Sequence, residues 1–242
     1  MGERRPIGEG PVERRSDQLF FPPPEGADAD GLVAVGGDLS IPRLLEAYRR
    51  GIFPWYEEGG PVLWWSPDPR LVLDPGEFRA SRSLRAVIRK GTFEVRFDTA
   101  FAEVIRACAE ARRRGEVGTW ITPEVRSAYT ALHELGYAHS VESWFQGELA
   151  GGLYGLRLGR CFFGESMFAR RTDASKVALA ALVDFLKARE VRLIDCQVTS
   201  AHLLSLGAKE IPRDEFLRRL REALQHPTRR ERWTRPSPNH PT

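Results

Sequence analysis

The stretch from His139 to Phe168 constrains the fold more than any other part of the chain. It is interrupted only at Gln146-Gly147 and Gly159-Arg160, dipeptides suited to reversing a chain between neighbouring strands. It therefore reads as a set of antiparallel strands. Directly after it, DASKVALAALVDFLKARE is a long apolar helix with Asp173 at the capping position, and VRLIDCQ returns as a strand.

The flanking text supplies the remaining elements. Leu32 to Val35 is a short apolar strand closed by Gly36-Gly37. A helix capped by Ser40 starts near Pro42, carries Leu44, Leu45 and Tyr48 on one face, and stops at Gly51. GIFPWYEEGGPVLWWSPDPR is rich in Pro and Gly and holds Trp55, Trp64 and Trp65, and a small first domain is expected to end near Pro75. Ser81 caps a helix to Lys90 that has Leu84, Val87 and Ile88 on one side and Arg82, Arg85 and Arg89 on the other. Phe93, Val95 and Phe97 alternate as a half-buried strand; Phe101 to Cys108 has helical spacing; Thr122-Pro123 opens another helix, ended by Gly136. Ser200 to Leu206 is a short helix, and a last one runs from about Arg213 to Leu224. The expected organisation is a disordered extension over residues 1–17, a small N-terminal domain over 18–75, the main domain over 76–226, and a loose basic tail over 227–242.

Composition excludes several function classes. The chain has 242 residues, 42% of them hydrophobic and 29% charged, as ordinary globular proteins do. It offers no apolar run near the roughly 20 residues that span a bilayer, and its charged start lacks the core of a secretory signal. A cytoplasmic location is expected. Cys108, Cys161 and Cys196 lie far apart without a CxxC pair, so neither a disulfide framework nor a metal site is expected. The net charge of +3 says little about nucleic acid; the clustered arginines say more, because a planar guanidinium fork suits phosphate.

Three polar residues stand where apolar ones prevail. Asp195 and Gln197 alternate on one face of VRLIDCQ, about 7 Å apart in an extended strand, and Glu165 interrupts the apolar run CFFGESMF. Such groups serve catalysis or are structural acids bonded to backbone N–H groups, and composition does not separate the two. Trp55 and Trp120 are either platforms for a nucleobase or core residues. The stripe of Arg82, Arg85 and Arg89 follows phosphates or is a solvated face. GGLYGLRLGR lies among strands and fits no phosphate loop.

Longer blocks carry a family resemblance. GLVAVGGDLSIPRLLEAYRRGIFPWY…LWWSPDPR is similar to the N-terminal block of bacterial leucyl/phenylalanyl-tRNA–protein transferases, and SRSLR, GTWIT, AYTALHELGYAHSVESW, GGLYGLRLG, FFGESMF, DASK, LIDCQ, HLLSLGA and EIPR follow in the same order. The resemblance covers about Phe20 to Phe216. It implies an α+β fold: a small N-terminal α/β domain, then an acyl-CoA N-acyltransferase-like domain with a central, mostly antiparallel sheet flanked by helices. It implies transfer of Leu or Phe, and weakly Met, from Leu-tRNA or Phe-tRNA to the N-terminal amine of proteins that start with Arg or Lys, which marks them for N-degron proteolysis. No cofactor and no membrane are involved, and a monomer is expected.

The resemblance also assigns residues. Glu165, Asp195 and Gln197 fall at the reaction centre, and Trp55 and Trp120 at the 3′-terminal adenosine. Leu153, Phe162, Leu179 and Ile194 line the donor side-chain pocket, and Arg85, Arg89 and Lys90 meet the tRNA backbone. The donor ester is already activated, so neither ATP nor metal is needed. What is missing is a neutral amine, since an α-amino group has a pKa of about 7.7–8.0. Either Asp195 polarises Gln197 toward the amine, or Asp195 and Glu165 hold the cationic acceptor while the terminal ribose hydroxyl shuttles the proton. A CoA-dependent acetyltransferase is a rival reading, but FARRTDASK lacks the glycine turn that binds pyrophosphate. A non-catalytic RNA-binding module is a second, and it has no use for acids in apolar strands.

Overall fold

The computed structural model describes residues 20–111 and 119–234; the extension over 1–17 and the end of the tail lie outside them. In chain order the elements are β1 (Leu32–Val35), α1 (Ile41–Arg49), β2 (Phe53–Pro54), β3 (Leu63–Trp65), β4 (Arg70–Leu73), α2 (Arg82–Lys90) and β5 (Glu94–Phe97), followed by α3 (Phe101–Glu110) and α4 (Pro123–Glu134). Then come β6 (Ala138–Phe145), β7 (Glu148–Leu158), β8 (Cys161–Ala169), α5 (Ala174–Lys187), β9 (Leu193–Gln197), α6 (Ala201–Ser205), β10 (Lys209–Ile211) and α7 (Arg213–Leu224). The mixed α+β character follows the hydrophobic periods of the sequence.

Local chemistry explains several boundaries. The Ser81 hydroxyl accepts the Leu84 N–H at 3.1 Å, and the Thr122 hydroxyl accepts the Val125 N–H at 3.2 Å, each satisfying one orphan donor of a first helical turn. Asp173 differs from expectation. Its φ of 67° places it in the left-handed region, its side chain caps nothing in α5, and its carboxylate instead receives Lys176 Nζ at 2.9 Å.

The strands form two sheets. A small antiparallel one has the order β1-β3-β2, and a seven-stranded one runs β10-β4-β9-β8-β7-β6-β5. Within the large sheet only β8 and β9 are parallel, a consequence of the crossover through α5. The expected boundary near Pro75 does not separate the two sheets, because β4 already lies inside the large one between β10 and β9.

Both faces of the large sheet are covered. Tyr154 and Leu156 of β7 pack with α3 and α4, whereas Leu153 and Val141 pack under α5. That is why β7 is buried nearly throughout rather than on alternate residues. The glycines of GGLYGLRLGR serve close approach, not phosphate. A Cβ on Gly155 would stand 2.1 Å from the Phe163 carbonyl oxygen, at an irregularity in the β7–β8 register, and one on Gly151 would stand 2.6 Å from Ala174 Cβ.

The tail also departs from expectation. Instead of hanging loosely after Pro227, it is held at Trp233, which is 2% exposed, stacks on His139 with ring centroids 3.9 Å apart, and donates its backbone N–H to Asp98 Oδ2 at 2.7 Å. Burial of the indole and the backbone bond to Asp98 are the contacts that anchor this segment.

Candidate active site

The parallel pairing of β8 with β9 reaches only to Phe163 and Asp195. Beyond it the strands contribute Glu165 and Gln197 to the wall of a cavity of ≈ 430 Å³. Leu153, Phe162, Leu179 and Ile194 form an apolar part of that wall, each 5% exposed or less. Trp55, 42% exposed, and the half-buried Trp120 also contribute. Eight sequence-expected residues from separate stretches of the chain thus meet at one cavity.

Glu165 is buried among neutral partners. Tyr48 Oη donates to its Oε1 at 2.8 Å, Tyr129 Oη to its Oε2 at 3.1 Å, and Gln197 Nε2 to its Oε1 at 2.9 Å. The two tyrosine hydroxyls also bond to each other. Three oxygen–oxygen contacts therefore link two phenols and one carboxyl, while the phenols own two hydrogens between them. With Glu165 ionised both phenols donate to it; with Glu165 protonated one phenol is released to donate to the other. The carboxyl pKa is raised: burial pushes it up to about 7, against the lowering effect of its hydrogen bonds, and the charge of Asp195 adds to the rise. Burial and the nearby carboxylate likewise raise both tyrosine hydroxyls well above their ordinary range.

Asp195 has a different environment. It is fully buried, takes no part in the cavity wall, and is forked by Arg70, with Nε to Oδ1 at 2.8 Å and Nη2 to Oδ2 at 2.6 Å. The expectation that both acids await a cation from the acceptor therefore fails for Asp195, because its cation is built in. Its second role is local: Oδ1 accepts the Gln197 N–H at 2.9 Å.

Arg85, Arg89 and Lys90 stand apart from the cavity, exposed on α2, which packs on α5 through Leu84 and Val87. Arg85 Nη1 donates to the Ala80 carbonyl at 2.7 Å. Sequence reasoning misses Arg70, Tyr48 and Tyr129 as site residues. Tyr48 reads as a core position of α1, which it also is. Nothing in its spacing shows that its hydroxyl meets a carboxylate 117 residues away. A buried Asp in an apolar strand requires a cation or hydrogen-bond donors somewhere, but no particular ones. Among the described residues, no group of three or more His, Cys, Asp or Glu could hold a metal ion, and no helix is long and apolar enough to cross a membrane.

Comparison with known proteins agrees over most of the chain. A family profile described as leucyl/phenylalanyl-tRNA protein transferase matches residues 72–221, and one described as the N-terminal domain of the same proteins matches residues 37–68. The leucyl/phenylalanyl-tRNA–protein transferase of Syntrophobacter fumaroxidans is 61% identical over 223 residues, covering 92% of this chain and 95% of that protein. The one from Aromatoleum aromaticum is 67% identical over 198 residues, covering 81% and 83%. Among solved structures, a functionally unknown conserved protein from Staphylococcus epidermidis aligns with a TM-score of 0.42 at 9% identity over 75% of this chain and 68% of that one, a likeness that carries no argument.

Proposed function

The chain belongs to the leucyl/phenylalanyl-tRNA–protein transferase family, and on that footing we propose that it moves Leu or Phe, and weakly Met, from aminoacyl-tRNA to the α-amine of proteins that begin with Arg or Lys, marking them for N-degron proteolysis. The observation that carries this reading is the single cavity in which an apolar wall, two tryptophans, Glu165 and Gln197 meet. The catalytic part then takes the acyl-CoA N-acyltransferase-like arrangement, with its site where β8 and β9 part.

In this reading Leu153, Phe162, Leu179 and Ile194 receive the donor side chain. One methylene in such a wall is worth about 1–3 kcal/mol, so rejection of Ile and Val rests on shape at Cβ rather than on affinity. Trp55 and Trp120 hold the terminal adenosine by stacking, worth about 1–3 kcal/mol per base, and Arg85, Arg89 and Lys90 follow the tRNA phosphates.

Glu165 meets the acceptor amine. An ammonium with a pKa of about 7.7–8.0 lies about one unit above a carboxyl at about 7, so handing over its proton costs about 1 kcal/mol. The ring with Tyr48 and Tyr129 stabilises the protonated acid that results. Because Gln197 Nε2 is engaged by Glu165, its Oε1 is left to accept an N–H of the neutral amine and orient it toward the ester carbonyl. The amine nitrogen bonds to the carbonyl carbon, the carbon–oxygen bond to the ribose breaks, and the ribose oxygen leaves with the second amine proton. Glu165 releases the first to solvent. Since Asp195 is engaged by Arg70, Glu165 is, while still ionised and before it takes the amine proton, the acid that faces the cation of an acceptor beginning with Arg or Lys.

The test is one model protein with Arg, Lys, Ala or Asp as its first residue, incubated with radiolabelled Leu-tRNA. Labelling of the first two and little of the others is expected. Equal labelling of all four overturns the charge reading, and no labelling of any overturns the transfer itself.

A further inference from the structure

Arg70 is 1% exposed and sits on β4 beside β9. Its guanidinium lies over two rings, 4.8 Å from the centroid of Phe53 and 4.4 Å from that of Phe216, so the fork is clamped between β2 and α7. Both its bonds go to Asp195, which passes the constraint on, because Asp195 Oδ1 also takes the Gln197 N–H. Gln197 has φ of 65°, a left-handed conformation that a non-glycine residue keeps only where its surroundings over-determine it. Here the β4–β9 register shifts between Leu71 and Val72, opposite Gln197 and Asp195, and the carboxylate bond fixes the turned backbone. The turn places the Gln197 amide 2.9 Å from Glu165 in the cavity wall.

We infer that Arg70 is a positioning residue for the transfer reaction: by holding both oxygens of Asp195 it fixes the left-handed turn of β9 that aims Gln197 at Glu165. The inference rests on the proposed transfer activity for its kinetic arm only. Charge alone does not account for the arrangement. A single-point cation would neutralise Asp195 equally well, but it would leave the carboxylate free to rotate about the bond that holds Oδ1 against the Gln197 N–H. Lysine at position 70 therefore separates charge from geometry.

The experiment compares wild type with Arg70→Lys in the full chain. Cooperative thermal unfolding confirms the fold, kinetics are taken with Leu-tRNA and an Arg-starting acceptor, and the Gln197 backbone amide proton is followed by NMR. We expect kcat to fall about 30-fold or more with both KM values within about threefold, and the Gln197 amide proton, shifted downfield by its bond to a carboxylate, to move upfield. A folded Arg70→Lys with kcat within about threefold of wild type, or with an unmoved Gln197 amide, overturns the inference. If Arg70→Lys does not fold, Arg70→Met/Asp195→Leu replaces the pair with apolar side chains, an exchange that buried ion pairs often tolerate. The same kcat loss at unchanged KM is then expected, and wild-type kcat overturns the inference. If wild type transfers nothing, the functional reading has failed, and the amide shift by itself still decides whether Arg70 sets the turn.

Discussion

Glu165 and Asp98 are both buried acids in the large sheet region, and their surroundings differ in kind. Asp98 is saturated by fixed partners. Its Oδ1 accepts the Ser140 N–H at 2.8 Å, and its Oδ2 accepts the Trp233 N–H at 2.7 Å and lies 2.8 Å from His139 Nδ1. It lies outside the cavity wall, and the ring stacked on its histidine belongs to the tail. Glu165 has two phenols and an amide, with no cation and no backbone donor bonded to it among the described residues, and it borders the cavity. The contrast shows that burial alone does not set an acid's surroundings. What distinguishes Glu165 is its place on the cavity wall with two phenols and an amide as partners.

The largest test of that contrast is kinetic. Glu165→Gln should lower kcat/KM for transfer on the order of 10³-fold, about 4 kcal/mol. Asp98→Asn should leave transfer per folded molecule within a few-fold while lowering thermal stability. An Asp98→Asn protein that folds well but fails in transfer would break the distinction.

Next in size is the tail. Trp233→Ala empties a site bounded by His139, Phe185 and Phe162 and should cost about 3 kcal/mol in denaturant unfolding. Phe162 belongs to both regions, since it also lines the cavity, so the variant should shift the Leu-to-Phe donor ratio slightly without abolishing transfer. Unchanged stability would show that the tail is not an anchor.

The pH dependence of stability sharpens the comparison further. The Glu165 carboxyl has a folded pKa of about 7 against an ordinary 4.5, so the folded state holds its proton more tightly than the unfolded chain. Its contribution is therefore fully present below about pH 4.5 and is lost as pH rises through about 7. Wild-type stability relative to Glu165→Gln should fall across that window by up to about 3 kcal/mol. A flat difference would mean that Glu165 titrates normally.

The smallest effect concerns α2, remote from both acids. Arg85→Glu/Arg89→Glu should weaken tRNA binding by roughly 1 kcal/mol per lost contact and reduce the log–log salt slope by about 1.8 for two duplex phosphates. The kcat at saturating tRNA should be unchanged. An unaltered salt slope would place the tRNA on another face.

Much of the molecule is legible in the amino-acid sequence. The antiparallel run from His139 to Phe168, the caps at Ser81 and Thr122, and the strand LIDCQ follow from periods and turn residues acting over a few positions. The aromatic and apolar residues named through the family resemblance line one cavity; the resemblance names them, and the pairing of the strands brings them together. Asp195→Ala, from sequence alone a simple catalytic deletion, has a second consequence in the folded protein: it strands the buried Arg70 without a partner, a change that costs buried ion pairs about 3–5 kcal/mol.

Sequence by itself determined the helices and the strands with a clear hydrophobic period, which faces are apolar, and that Glu165 and Asp195 are acids in apolar surroundings; the short strands β2, β3, β4 and β10 carry no such period. Tertiary structure alone decided that Arg70, 125 residues from Asp195, neutralises one acid, that Tyr48 and Tyr129 surround the other, and that Trp233 closes back on His139. The reason is physical. Hydrophobic period and capping act over three or four residues and leave their mark in spacing, whereas the partner of a buried charge is set by which strands pair and how helices lie across them. Many cations in the chain satisfy the same electrostatic demand, and only the register of β4 against β9 selects Arg70.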